Sequence, residues 1–90
     1  MVYKFLTLSD ETEIVHSEKL ANGEVKVYVE TPDAEDCFHH MTVYLPSYRI
    51  EEFFGYSEDE KAKYLDVIKS TANLIIEFAA NGGFENASGF

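Results

Sequence analysis

Ninety residues carry seventeen Asp and Glu against seven Lys and Arg, a formal charge of −10, and 46% of the chain is hydrophobic. That length fits one small domain, and the apolar and aromatic content is too high for a disordered acidic tail. The charge disfavours direct binding to nucleic acid, where affinity comes from Lys and Arg displacing counterions from phosphates, and docking on anionic membrane surfaces. The single Cys37 excludes an internal disulfide and suits a reducing compartment. No run approaches the ~20 apolar residues of a membrane span, and Met1–Asp10 lacks the marks of a signal peptide. The expectation is a cytoplasmic domain over residues 1–81 followed by a C-terminal tail over 82–90.

Val2–Ser9 is β-rich, and Glu13–Leu20 is a weaker strand candidate. Asn22-Gly23 between Leu20 and Glu24 is a strong short hairpin signal. Glu24–Glu30 alternates cleanly, with Val25, Val27 and Val29 on one face and Glu24, Lys26, Tyr28 and Glu30 on the other. This is the pattern of a half-buried antiparallel strand. Thr31–Asp36 reads as a loop, after which Cys37–Leu45 alternates again and ends at Pro46. Cys37, His39, Met41, Val43 and Leu45 share one face; Phe38, His40, Thr42 and Tyr44 share the other.

Ile50, Phe53 and Phe54 stand at i, i+3, i+4, which predicts a short helix stopped at Gly55. Ser57 and Glu60 form a capping box, and acids in the first turn suit the positive end of a helix dipole. From there no Gly or Pro interrupts the chain before Asn81-Gly82-Gly83, so the spacing predicts a helix of about 24 residues, or ~36 Å. Ala62, Leu65, Ile68, Ala72, Ile75 and Ala79 line one side, flanked by Tyr64, Val67, Leu74, Ile76 and Phe78. That apolar sector is wider than the ~100° needed to pack on one core, which points to coverage by the short helix and tail, or by a second copy. The expected architecture is α+β: an antiparallel sheet of three or four strands packed on one long C-terminal helix, with a short helix before it. The element order alone is similar to a known single-strand-binding scaffold, but the basic strand residues that bind nucleic acid are missing here, so the resemblance implies fold only.

Candidate sites fall into three groups. Acids gather at Asp10, Glu11 and Glu13, at Asp33, Glu35 and Asp36, and at Glu51, Glu52, Glu58 and Asp59, an arrangement suited to a basic protein partner. Tyr48, Phe53, Phe54, Tyr64 and Phe78 are candidates for an apolar interface. Cys37 and His39, two apart on a strand, with His16 as a third ligand, could share a metal, although the face they occupy otherwise looks like core. None of the serines sits in a Gly-x-Ser-x-Gly elbow, and Gly82-Gly83 lacks the context of a phosphate loop, so neither enzyme activity nor a cofactor is expected. The reading is a non-enzymatic protein-interaction module that forms a homodimer through its helix or an edge strand. The alternatives are an acidic mimic of nucleic acid that occupies a basic groove, and a metal-binding protein.

Overall fold

The computed structural model describes residues 2–35 and 37–80, the side chain of Cys37 apart. Asp36, the Cys37 side chain and the tail expected over 82–90 lie outside the described residues. Within them are β1 (Val2–Thr7), β2 (Glu13–Lys19), β3 (Val25–Asp33), β4 (Cys37–Leu45), β5 (Arg49–Phe54) and α1 (Glu58–Ala80). The strands form an antiparallel meander in the order β1-β2-β3-β4-β5. The helix lies on one face of it, chiefly against β2 and β3. The class is α+β, with five strands rather than three or four and without the short helix.

The inner face follows from period-two alternation. Val25, Val27 and Val29 of β3 are buried, and the register sets Val29 against Ile14 and Met41, and Val27 against His16 and Val43. Tyr64, Ile68, Ala72 and Ile75 of α1 close over them in one cluster, and the Phe78 ring meets Phe5 of β1 at 6.0 Å. Phe5, Leu6 and Leu8 on one flank and Tyr48 and Ile50 on the other extend this floor. The floor is wider than a three-stranded sheet would offer, so the broad apolar sector of α1 is largely taken up inside one subunit. Leu65, Val67 and Ile76 pack against the core half-buried, and Leu74 is left outside at 41% exposure.

The β2–β3 connection, residues 20–24, closes a three-residue loop over 21–23. Leu20 N–H donates to Glu24 O, Gly23 N–H donates to Leu20 O, and Gly23 takes φ +86°. This combines a turn with a left-handed residue, and the Asn22 side chain accepts from the Glu24 N–H. The capping box forms reciprocally: Ser57 N–H donates to Glu60 Oε1 at 2.9 Å, and Glu60 N–H donates to Ser57 Oγ at 3.2 Å.

Two segments depart from expectation. Thr31-Pro32-Asp33 continues β3 instead of looping, because it pairs with β4 through His39, Phe38 and Cys37, while β2 starts only at Glu13 opposite Glu30. Beyond Glu30 one flank of β3 is therefore an edge, where proline is tolerated. Residues 49–54 form β5, not a helix. Between the pairs His40↔Phe54 and Thr42↔Glu51, two residues of β5, Glu52 and Phe53, oppose one of β4, Met41, and Glu52 takes φ +55°. The extra residue returns Phe53 to the inner side with Ile50, where its ring lies 6.3 Å from Tyr56 and beneath Lys61 Nζ. A bulge in a strand thus reproduces the i, i+3 spacing of a helix.

Gly55 takes φ +89° and sits so close to the His39 ring that a Cβ there would collide with it, whereas Gly23 faces open space. Gly23→Ala is expected to cost about 1–2 kcal/mol for its left-handed backbone alone. Gly55→Ala should cost clearly more, since His39 must also move. Denaturant midpoints of the two variants check this, and equal midpoints would contradict the packing described.

Candidate interaction site

In a meander, alternate turns come to the same end of the sheet. Here the β1–β2 turn, the β3–β4 turn and the β5–α1 connection share one end, because β1, β3 and β5 all run toward it. This brings together Asp10, Glu11 and Glu13, then Glu30, Asp33 and Glu35, then Glu58, Asp59 and Glu60, three segments far apart in the chain. Asp36 lies outside the described residues. Glu51 and Glu52 do not join them: they lie along β5, where Arg49 Nε reaches Glu51 at 3.0 Å and Lys26 Nζ approaches Glu52 at 3.9 Å. At the shared end, Lys4 meets Glu13 at 3.4 Å, Lys63 meets Asp10 at 3.1 Å and Lys61 meets Glu58 at 3.6 Å.

A chain of hydroxyls fastens these turns. Thr12 Oγ1 donates to Tyr64 Oη at 3.1 Å, and Tyr64 Oη donates to Asp10 Oδ2 at 2.7 Å. Thr12 has one hydroxyl proton, so at the 2.6 Å contact Thr31 is the donor to Thr12. Thr31's proton is then spent, and Tyr56 donates across the 2.8 Å contact to Thr31, with His39 O also within reach of that phenol at 3.2 Å. The protons of Thr31, Thr12 and Tyr64 all point toward one carboxylate, an alignment in which each bond polarises the next, while the Tyr56 proton is shared between Thr31 and His39 O. Burial acts to raise the Asp10 pKa, but the bonds from Thr12, Tyr64 and Lys63 outweigh it and hold the carboxyl well below the usual range. Burial, with Tyr64, Glu60 and Asp10 nearby, pushes the Tyr56 phenol up to about 12.

Among the described residues, no helix lies on the outer face of the sheet. Reading across the register, one row runs Glu13, Glu30, His40, Phe54; the next Lys4, Val15, Tyr28, Thr42, Glu51; the third Lys26, Tyr44, Arg49. The His40 ring lies between Tyr28 at 6.0 Å (interplanar 8°) and Phe54 at 5.6 Å (25°). His40 Nδ1 and Thr42 Oγ1 are buried here without a hydrogen-bond partner. Tyr28 Oη donates to Glu30 at 3.2 Å; burial, then Glu30 and Glu52, raise its pKa. Phe38, two residues before His40 and on the same face, is 46% exposed and Phe54 is 48% exposed.

Of the aromatic residues singled out by sequence, Tyr64 and Phe78 are buried under their own sheet and present no surface. Tyr48 is half-buried with Lys69 Nζ 5.8 Å from its ring, and Phe53 and Phe54 are exposed. Phe38 was not among those candidates; its signal was an aromatic residue on the otherwise polar face of an alternating strand. His39 and His16 both point inward but stand apart: His39 pairs with Thr31 and His16 with Val27, four residues along β3, or about 13 Å. His39 Nε2 faces Asp33 at 3.5 Å, while His16 Nδ1 meets Ser17 O at 2.9 Å. Among the described residues, no group of three or more His, Cys, Asp and Glu side chains is placed to hold a metal ion, and no helix is long and apolar enough to cross a membrane.

Because its pKa is lowered on folding, Asp10 contributes stability that is fully present above the unfolded carboxylate value of about 3.9 and is lost as pH falls through the folded value. Asp10→Asn should lower the melting temperature at pH 7 and flatten the loss of stability below about pH 4. Thermal melts of both proteins from pH 7 to pH 2 measure this; parallel curves would show that Asp10 does not act through its charge.

No protein-family model, no curated protein and no solved structure matches the chain.

Proposed function

We propose that this chain is a non-enzymatic protein-interaction module that captures a basic partner at the acid-rich end of its sheet. The observation that carries the reading is the convergence of three sequence-distant acidic segments on one end, next to the exposed rings of Phe38, Phe53 and Phe54. A one-signed pole on a chain of net charge −10 speeds and orients the approach of an oppositely charged surface. Exposed aromatic rings beside it supply the apolar contact that charge alone does not. The Lys4–Glu13 and Lys61–Glu58 pairs at this end lie at the surface and are individually weak, so a partner's cations compete for Glu13 and Glu58 at little cost, whereas Asp10 stays committed to Tyr64 and Lys63.

Self-association through the helix draws less support, since α1 spends Tyr64, Ile68, Ile75 and Phe78 on its own sheet. Both edge strands carry bulges, between Lys4 and Leu6 in β1 and at Glu52 in β5, and bulged edges resist edge-to-edge pairing. The nucleic-acid-mimic alternative needs rows of free carboxylates. Glu51 and Glu52 stand away from the acid-rich end and are met by Arg49 and Lys26, and Asp10 is held by Tyr64 and Lys63.

The test compares two double variants with the same change in net charge. Glu11→Lys with Glu35→Lys alters the acid-rich end; Glu18→Lys with Glu77→Lys alters the opposite end. Titrated with a lysine- and arginine-rich peptide at low salt, the first pair should weaken binding by about tenfold or more relative to the second. Wild-type affinity should fall steeply with added salt. Equal losses from the two pairs would mean that net charge alone attracts the peptide, and the site assignment would fail.

A further inference from the structure

The chain caps its own aromatic rings with cations. Arg49 Cζ lies 4.3 Å from the centroid of Tyr44, Lys63 Nζ 5.1 Å from Tyr64, Lys61 Nζ 5.4 Å from Phe53 and Lys69 Nζ 5.8 Å from Tyr48. These are cation–π distances. Among the described residues the two most exposed aromatic side chains, Phe38 and Phe54, have no such cation. The contrast is clearest on the outer face, where the register sets Arg49 opposite Tyr44 in one row but sets His40 opposite Phe54 in another. Carboxylates accompany the uncapped rings: Glu30 is in register with His40, and Glu52, whose side chain is 62% exposed, precedes Phe54 by two residues.

We propose that Phe38 and Phe54 on the outer sheet face receive arginine side chains of the partner, each guanidinium laid on a ring and drawn there by the field of Glu30 and Glu52. Arginine suits this better than lysine because its planar, weakly hydrated cation stacks on an aromatic face while its N–H groups reach a carboxylate. The proposal rests on the acid-rich interaction module described above and names the contact that gives it specificity. Val15, Tyr28, Thr42 and His40 form the continuous floor behind these rings, so a partner segment crossing the sheet from Phe54 meets aromatic and apolar atoms flanked by acids.

The experiment is calorimetric titration of the whole chain with an arginine-rich peptide and with a lysine-rich peptide of equal length and charge. The wild-type chain should bind the arginine peptide more tightly. Phe38→Leu with Phe54→Leu keeps the charge and an apolar side chain at both exposed positions but removes the π faces. It should weaken the arginine peptide by about 5- to 30-fold, the product of two exposed cation–π contacts, and abolish the preference over lysine. If both peptides bind with steep salt dependence and the double variant changes neither, this inference is overturned while the acid-rich site stands. If neither peptide binds the wild type at low salt, the interaction module fails and this contact with it. Should the double variant not fold, the proton shifts of the Phe38, Phe54 and His40 rings in the wild type decide: movement on adding the arginine peptide supports the contact, and unmoved signals overturn it.

Discussion

The packing of Tyr64, Ile68, Ala72 and Ile75 onto Ile14, Val27, Val29, Met41 and Val43 holds two layers together, and everything else in the molecule follows from its being one-sided. Among the described residues one helix packs on the sheet, and it covers one face. The inner face can then be uniformly apolar, and the meander supplies it from period-two alternation in neighbouring strands. The outer face must remain stable in water. It does so with half-buried Val15, Tyr28 and Tyr44, with stacked rings around His40, and with cross-strand charges such as Lys4 with Glu13 and Lys26 with Glu52.

The ends of the layers have a different cement. At the acid-rich end, where turns from three parts of the chain converge, apolar packing gives way to the hydroxyl chain from Tyr56 through Thr31, Thr12 and Tyr64 to Asp10. The β1–β2 turn supplies both Thr12 and Asp10, and the chain ties that turn to β3, to the β5–α1 connection and to the first turns of α1. Gly55 belongs to the same arrangement, since its missing side chain lets His39 stand beside Tyr56, with ring centroids 5.8 Å apart. The carboxylates of this end are therefore displayed on a braced framework; in the proposed reading, this lowers the ordering cost of binding a partner.

Bulges do the remaining shaping. The extra residue in β1 lets Phe5 join Leu6 on the inner side, and the one in β5 sends Phe53 inward and Phe54 outward. At both edges the irregularity that serves packing also spoils the flat row of backbone groups that a second sheet would need.

Much of this was legible in the residues themselves. The alternation of Val25, Val27 and Val29, the reciprocal cap of Ser57 and Glu60, the turn at Asn22-Gly23 and the uninterrupted helix to Ala80 are local patterns, and local stereochemistry decides them. The net charge of −10 is read from composition directly. The nature of residues 49–54 was not, because a bulged strand and a helical turn place side chains at the same spacing, and only pairing with β4 tells them apart. Nor could the chain order show that Tyr64 and Phe78 are used inside the subunit, that His16 and His39 stand apart, or that Asp10, Asp33 and Glu58 come to one end while Glu51 and Glu52 do not. Those are consequences of strand order and register, and both are set by long-range burial that no local window of sequence contains.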